Sequence, residues 1–406
     1  LNLSYFISKR ISRGYQEGFS STIHKIAIVS IAIGLAASIV SFLIMKGFQE
    51  TVKDKIYSFS GHILITKFSM NNSMEEQPMD YKIDLYKEQK KYPFIRHIQE
   101  FAKKVGVVKT DAEALGVLIK GVGKSFDLES FGDNMVDGQF IQFKDSGYSN
   151  QVVLSKTIAN QLSKDVGDEI IVHFFLNPPR FRRLTVVGIY ETNLSEYFDT
   201  RVIISDIGMI QRLNDWPDSV AGGLEVFVND PEQIDNAGIA IGEMMDFDLN
   251  IERVSDRFIQ VFEWLELLSR QVNILLGIIL TVVCVNMISI VLIIVMERTQ
   301  MIGMLKALGA SNGFIRSVFI YNGLNLILKG LLLGNILGLG LCFIQYKFKL
   351  IELNPRDYYM SFVPISWHWE IVLLLNLITL SLVTLILLLP TMAISRITPI
   401  KAIRFD

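Results

Sequence analysis

Residues 271–296 read QVNILLGIILTVVCVNMISIVLIIVM, 26 residues without a charged side chain. As a helix this run is about 39 Å long, enough to cross the roughly 30 Å hydrocarbon core of a bilayer. Three more runs have the same character. Ile26 to Met45 is uncharged over 20 residues, Ser317 to Tyr346 carries only Lys329, and Ile371 to Ser395 is uncharged over 25. Four such runs in one chain do not fit the buried helices of a soluble protein. Across all 406 residues, 50% are hydrophobic and the mean hydropathy is +0.37. Lys46-Gly47-Phe48-Gln49 follows the first run. That is no small-residue cleavage site, so the first run is expected to be a retained span and not a signal peptide.

The predicted fold is a membrane protein of four transmembrane α-helices, with a large α+β periplasmic domain inserted between helices 1 and 2. Its expected parts begin with a cytoplasmic amphipathic segment 1–25, helix 26–46 and the domain with its stalk, 47–268. Helix 271–296, a cytoplasmic loop 297–316 and helix 317–346 come next. A short periplasmic loop 347–370, helix 371–395 and a cytoplasmic tail 396–406 complete the chain. Orientation rests on cations in the short segments. Lys9, Arg10, Arg13, Lys25, Arg298, Lys306, Arg316, Arg396, Lys401 and Arg404 fall on one side, and Lys347, Lys349 and Arg356 on the other. The positive-inside rule puts both termini in the cytoplasm. Tyr358, Tyr359, Trp367, His368 and Trp369 suit an outer interfacial belt.

Composition excludes several classes. The 39 basic residues against 41 acidic ones leave no cationic excess for a nucleic-acid backbone. Two cysteines, Cys284 and Cys342, cannot build a disulfide scaffold or a four-cysteine zinc site. HExxH and CxxC motifs are absent. Gly121-Val122-Gly123-Lys124-Ser125 resembles the end of a phosphate loop, but Leu118 stands where a glycine is needed, so it reads as a β-turn. No cofactor is expected on this chain, and its energy must come from a partner.

Within the inserted domain, strands are expected at Gly61–Thr66, Ala114–Lys120, Gln151–Leu154, Val202–Ser205 and Leu224–Val228. Helices are expected at Phe94–Val105, at Ser155–Ser163 with Ser155 as cap, at Ile207–Leu213 and from Pro231. Met70 to Gln77 reads as a mobile polar loop. Glu169–Phe175 and Arg183–Glu191 read as a hairpin with a proline-stiffened tip at Asn177-Pro178-Pro179-Arg180. Asp256 is expected to cap a helix running through Phe258, Val261, Phe262, Leu265 and Leu268 into the second span. No glycine or proline breaks it before Gly277.

The loop after that span carries Glu297, Arg298 and then Ile302-Gly303-Met304-Leu305-Lys306-Ala307-Leu308-Gly309-Ala310-Ser311. Ile302, Leu305 and Leu308 have helical spacing, and Gly309 suits a helix stop. Such a short amphipathic helix either docks into a groove on a cytoplasmic protein or rests on lipid.

Glu297-Arg298 with the 302–311 segment resembles the coupling-helix signature of the FtsX/macrolide-exporter superfamily of ABC transporter permeases. Pro390 to Arg396 followed by Pro399-Ile400-Lys401-Ala402-Ile403-Arg404 resembles that superfamily's C-terminal signature. Lipoprotein-releasing permeases are the most similar branch, on Met45-Lys46-Gly47-Phe48, Leu118-Ile119-Lys120-Gly121-Val122 and Val187-Gly188-Ile189-Tyr190. Glu196-Tyr197 and Ile210-Gln211-Arg212-Leu213 add to the likeness.

The resemblance implies a non-catalytic permease subunit of the bacterial inner membrane, paired with a second permease copy. It also implies a cytoplasmic ABC ATPase dimer that holds ATP and Mg. The implied cargo is a lipoprotein, passed to a periplasmic carrier. Coupling to the ATPase would fall on Glu297, Arg298, Ile302, Leu305, Lys306, Gly309, Ala310 and Ser311. Met45, Phe48, Phe258, Phe262 and Leu265 are candidates for a cargo groove. Residues 258, 262 and 265 share one helix face, so they serve equally as packing between stalk and domain. Pro178, Pro179, Arg180, Phe181 and Arg182 would dock the carrier, or form a plain stiff turn. Lys329 departs from the family pattern and is expected to snorkel to an interface. Gly330, Gly334 and Gly338 recur every four residues and allow close helix packing, within the protomer or with a partner.

Overall fold

The structure is a computed structural model that describes residues 19–70, 74–109 and 114–392. The N-terminal cations Lys9, Arg10 and Arg13 lie outside the described residues, as does the C-terminal signature from Ala393 onward, with Arg396, Lys401 and Arg404.

In chain order, α1 (Phe19–Ser60) leads to β1 (Ile63–Lys67), β2 (Met79–Asp80), β3 (Ile95–Lys109), β4 (Ala114–Val122), β5 (Met135–Gly138) and β6 (Gln151–Ser155). There follow α2 (Lys156–Leu162), β7 (Glu169–Phe174), β8 (Arg180–Tyr190), β9 (Val202–Asp206), α3 (Ile207–Leu213), β10 (Val220–Ala221), β11 (Gly223–Val228), α4 (Ile234–Met244) and β12 (Leu249–Arg253). The last elements are α5 (Ile259–Glu297), α6 (Thr299–Ala307), α7 (Asn312–Phe348) and α8 (Trp369–Met392). Contacts divide the chain into a helical unit and an α/β unit, the latter comprising residues 51–263 and 353–361.

Four helices among the described residues, α1, α5, α7 and α8, are long and apolar enough to cross a membrane. Ile31, Leu35 and Ile39 of α1, Met287 and Ile294 of α5, Ile327 of α7 and Val383 of α8 share one buried core. Lipid tails supply no hydrophobic drive between such helices, so close packing and interhelical hydrogen bonds must hold them. The glycine stripe of α7 provides the packing. A Cβ on Gly334 would lie 3.0 Å from the Ala32 carbonyl oxygen and 3.0 Å from Leu35 Cβ, and one on Gly338 would lie 3.0 Å from Ala36 Cα. The stripe thus seats α1 of the same chain. Asn335 and Asn376 exchange amide hydrogen bonds of 2.7 and 3.0 Å between α7 and α8. Glu50 on α1 is held by His368, whose Nε2 lies 2.6 Å from Oε1, and by the Ser366 hydroxyl. Lys329 is exposed on α7.

The α/β unit is built on a ten-stranded sheet in the order β12-β1-β11-β3-β4-β9-β6-β8-β5, with β7 pairing β3 and β8. Most pairings are antiparallel; β4–β9 and β6–β8 are parallel. Helices α2 and α3 bury Ile158, Leu162, Met209 and Ile210 against Val117, Ile119, Val152 and Val186 of the sheet. The Ser155 hydroxyl caps α2 by accepting from Ile158 N at 3.0 Å.

Three expectations need correction. Residues 94–105 are not a helix: from Ile95 onward they belong to β3, a 15-residue strand paired with β11 and β4. Ile95, Ile98, Phe101 and Ala102 have helix-like spacing only because this central strand is buried on both faces. Asp256 does not cap the long helix. It lies in a separate turn, Val254–Arg257, where Arg253 holds its carboxylate at 2.8 and 3.1 Å, and α5 begins only after Phe258. The end of the 70–77 loop is pinned, since Glu75 and Glu76 pair with Lys104 and Lys103, each at 2.7 Å. Residues 71–73 lie outside the described set.

Candidate functional site

The segment joining α5 to α7 is a helix–turn–helix. After Glu297 the backbone leaves the helical path at Arg298, and Thr299 steadies the corner by donating to the Met296 carbonyl at 2.6 Å. Helix α6 ends in a left-handed glycine, Gly309 at φ +88°. There Gly309 N donates to Lys306 O and Ala310 N to Leu305 O, both at 3.0 Å, a glycine-terminated cap. Ser311 then caps α7 by accepting from Phe314 N at 3.3 Å. Burial splits the predicted stripe. Ile302 is fully buried in the helical core, and Leu305 and Ala310 pack beside it. Glu297 and Gly309 are exposed, while Arg298 and Lys306 are half-buried. Burial and then the Arg316 charge push the Lys306 ammonium below its usual value.

The five groove residues fall in both units. In the helical unit, Met45, Phe48 and Leu265 are buried. Phe48 meets Trp264 edge-on at 5.5 Å, and Gln49 donates to Ser269 Oγ at 2.5 Å. In the α/β unit, Phe258 packs against Tyr197 and Phe198 at 5.4 and 5.5 Å, and Phe262 against Tyr57 at 5.8 Å. All five side chains are therefore engaged in packing within this chain.

At the hairpin, Pro178, Pro179 and Phe181 are exposed. Arg180 is occupied: its guanidinium pairs with Asp215 at 2.9 Å and donates to Leu213 O at 2.8 Å, closing the C-terminal end of α3. Arg182 donates to the Phe181 carbonyl. The tip therefore presents prolines and aromatic rings more than cations.

A buried polar network crosses the sheet. Lys120 Nζ lies 2.6 Å from Glu225 Oε1 and also donates to the Phe59 carbonyl in the last turn of α1. Gln99 donates to the other Glu225 oxygen at 2.7 Å. Beside this network opens a cavity of about 570 Å³.

A family model described as a MacB-like periplasmic core domain matches residues 26–243, and one described as FtsX-like permease C-terminal matches residues 273–399. The chain belongs to the FtsX-like permeases with a MacB-like periplasmic core domain. It is 25% identical to the lipoprotein-releasing system transmembrane protein LolE of Haemophilus influenzae, over 99% of each chain. It is 24% identical to LolC of Neisseria meningitidis serogroup B, over 100% of this chain and 98% of that one. LolC of Haemophilus influenzae is also 24% identical, over 100% and 99%.

The exposed face of α6 differs from the stripe read in the sequence. Of Ile302, Leu305 and Leu308 only Leu308 faces out, 81% exposed, and its neighbour on that face is Met304, 60% exposed, which the sequence reading did not single out. Their i, i+4 spacing was present in the sequence; only the buried position of Ile302 tells which of two apolar stripes faces out. At the hairpin, Phe175 is 79% exposed beside Phe181.

Proposed function

We propose that this permease is a subunit of an ATP-driven transporter that extracts lipoproteins from the outer leaflet of the bacterial inner membrane for transfer to the outer membrane. The observation that carries the reading is likeness over the full length, spans and inserted domain alike, to relatives named lipoprotein-releasing system transmembrane proteins.

In this reading the chain does no chemistry. ATP and Mg²⁺ sit on a partner ABC ATPase dimer in the cytoplasm, where the 297–311 segment meets it. A second permease copy, identical or diverged, completes the membrane part. Motion of the ATPase pair reaches the periplasm along α5, which at 1.5 Å per residue is about 58 Å long and continuous over 39 residues. Both termini face the cytoplasm. A periplasmic carrier receives the cargo, with the exposed tip of the 178–182 hairpin as its contact.

The test is reconstitution of the permease with its ATPase and a lipid-modified protein in proteoliposomes. ATP should transfer the lipoprotein to a soluble lipoprotein carrier. ATP turnover that moves peptides or drugs, but leaves the lipoprotein in the membrane, would replace this reading with an export function. A permease that binds no ATPase would make it a membrane sensor.

A further inference from the structure

The cavity of about 570 Å³ in the α/β unit shares only Phe258 with the candidate cargo groove. Its size lies in the range of small-molecule sites, which are mostly apolar with a few convergent polar groups. Leu64, Leu118, Phe198 and Val202 supply apolar wall. Two more wall residues mark its place in the chain: Phe59 lies in the last turn of α1, and Phe258 immediately precedes α5. The cavity is thus lined by the last turn of α1 and by the residue before α5, the two helices that continue into membrane-spanning runs.

The rim is charged. Lys103 is taken up by Glu76 at 2.7 Å and Lys120 by Glu225 at 2.6 Å, so neither is available to a ligand. Arg201 and Arg257 are exposed at the rim with one exposed carboxylate, Glu196; Glu252 reaches Arg257 only at 3.7 Å. Apolar walls under a rim with two guanidiniums fit an apolar chain with an anionic end.

We propose that this cavity is a binding site for one acyl chain of an anionic amphiphile, with the chain against Leu118, Phe198 and Phe258 and the head at Arg201 and Arg257. The site stands on the cavity alone and does not require that the cargo be a lipoprotein. A free fatty acid and an anionic phospholipid share this chemistry. Burial of methylenes predicts about fourfold tighter binding per added CH₂ until the cavity is full.

Gly116 gives the means to test it. It lines the cavity, and a Cβ there meets nothing within 4 Å, so a side chain starts from this position without a clash and Gly116→Trp adds bulk at the cavity wall. The full-length protein in nanodiscs is exposed to a palmitate carrying a terminal diazirine, irradiated and mapped by peptide mass spectrometry. Labels are expected at residues 118, 198 or 258. They should drop at least tenfold in Gly116→Trp and persist in Gly116→Ala, with labelling of the membrane helices unchanged. Arg201→Glu should weaken labelling by the palmitate probe and not by the matching diazirine hexadecanol. Competition by unlabelled palmitate or by phosphatidylglycerol identifies the source of the chain. Absence of label from the domain, or equal label in Gly116→Trp, overturns the site. Because Gly116→Trp leaves the 297–311 segment intact, lipoprotein release in the reconstituted assay is a separate result: release without domain labelling sinks the cavity site alone, and labelling without release sinks only the transport reading.

Discussion

Lys120 and Glu225 form an ion pair of 2.6 Å in which each side chain is only 2% exposed. The same ammonium donates to the Phe59 carbonyl and lies 4.8 Å from the centre of the Phe59 ring. A cation at a helix C-terminus meets the negative end of the helix dipole. Burial pushes the lysine below its usual pKa, and Glu225 opposes that push. The pair therefore ties the end of α1 to the centre of the sheet, and its value depends on both partners being present.

Removing one partner should cost more than removing both. Glu225→Ala leaves an uncompensated buried ammonium, and breaking such a pair costs about 3–5 kcal/mol. Lys120→Met with Glu225→Gln removes both charges and should recover most of that loss. Amide hydrogen exchange of β4 and β11 in the full-length protein reads both variants. A Glu225→Ala protein whose strands exchange no faster than the parent would show that the pair carries no stability.

Acid should loosen the sheet through His62. Its ring is buried, and Nδ1 accepts a hydrogen bond from Val228 N at 3.2 Å, a role only the unprotonated nitrogen can fill. Burial, then the Arg96 charge, lower its pKa from 6.5 to about 4. The folded state thus binds its proton less readily than the unfolded chain, so the contribution of the neutral ring is complete above pH 6.5. It is lost progressively as pH falls from 6.5 towards 4, a loss of about 3 kcal/mol. His62→Gln keeps an acceptor and removes the titration. Protection factors, which remove the pH dependence of intrinsic amide exchange, should fall at residues 63–65 and 226–228 between pH 7 and 4.5 in the parent only; an equal fall in the variant would move the acid sensitivity elsewhere.

The spans were legible because lipid imposes its rule residue by residue. A run such as 271–296 has no soluble alternative, and helix α5 contains it whole. Local signals also carried α2, whose Ser155 cap is a four-residue pattern. Strand β3 was not legible. Burial on both faces erases the two-residue alternation, and its partners, β11 and β4, follow it in sequence, β11 by more than 100 residues. The domain cavity was illegible for a related reason: Phe59, Leu118, Phe198 and Phe258 come from segments distant in sequence. In the 297–311 segment the sequence showed an amphipathic helix but could not orient it, because the choice between Ile302 and Met304 is made by the helices on which α6 rests.

Close packing of α1 on α7 gives a third expectation. Gly334→Leu would drive a side chain into the Ala32 carbonyl and Leu35, both 3.0 Å from the new Cβ. Overpacking of this kind costs about 1–3 kcal/mol. Gly340→Leu on the same helix is the control, since a Cβ there meets nothing within 4 Å. Unfolding in mixed detergent micelles should fall to lower denaturing-detergent fraction for Gly334→Leu and stay unchanged for Gly340→Leu. Equal behaviour of the two would mean that the stripe does not hold α1.

The outward face of α6 offers the sharpest separation between stability and coupling. Met304 and Leu308 are exposed and make no part of the helical core, whereas Ile302 is completely buried in it. If this face meets the ATPase, Leu308→Asp or Met304→Glu should weaken ATPase association roughly tenfold or more, the scale of an interfacial hot spot. Neither change should alter detergent stability, because neither side chain packs inside the chain. Ile302→Asp should do the reverse first: a carboxylate buried in the cluster of Val295, Ile315 and Phe319 loses its hydration and should destabilise the bundle before any question of coupling arises. Leu305 lies between these cases, half-buried, and Leu305→Asp should lose both properties. Paired measurements of ATPase co-purification and detergent stability check all four variants. Full ATPase association in both Leu308→Asp and Met304→Glu would remove the coupling role from this face.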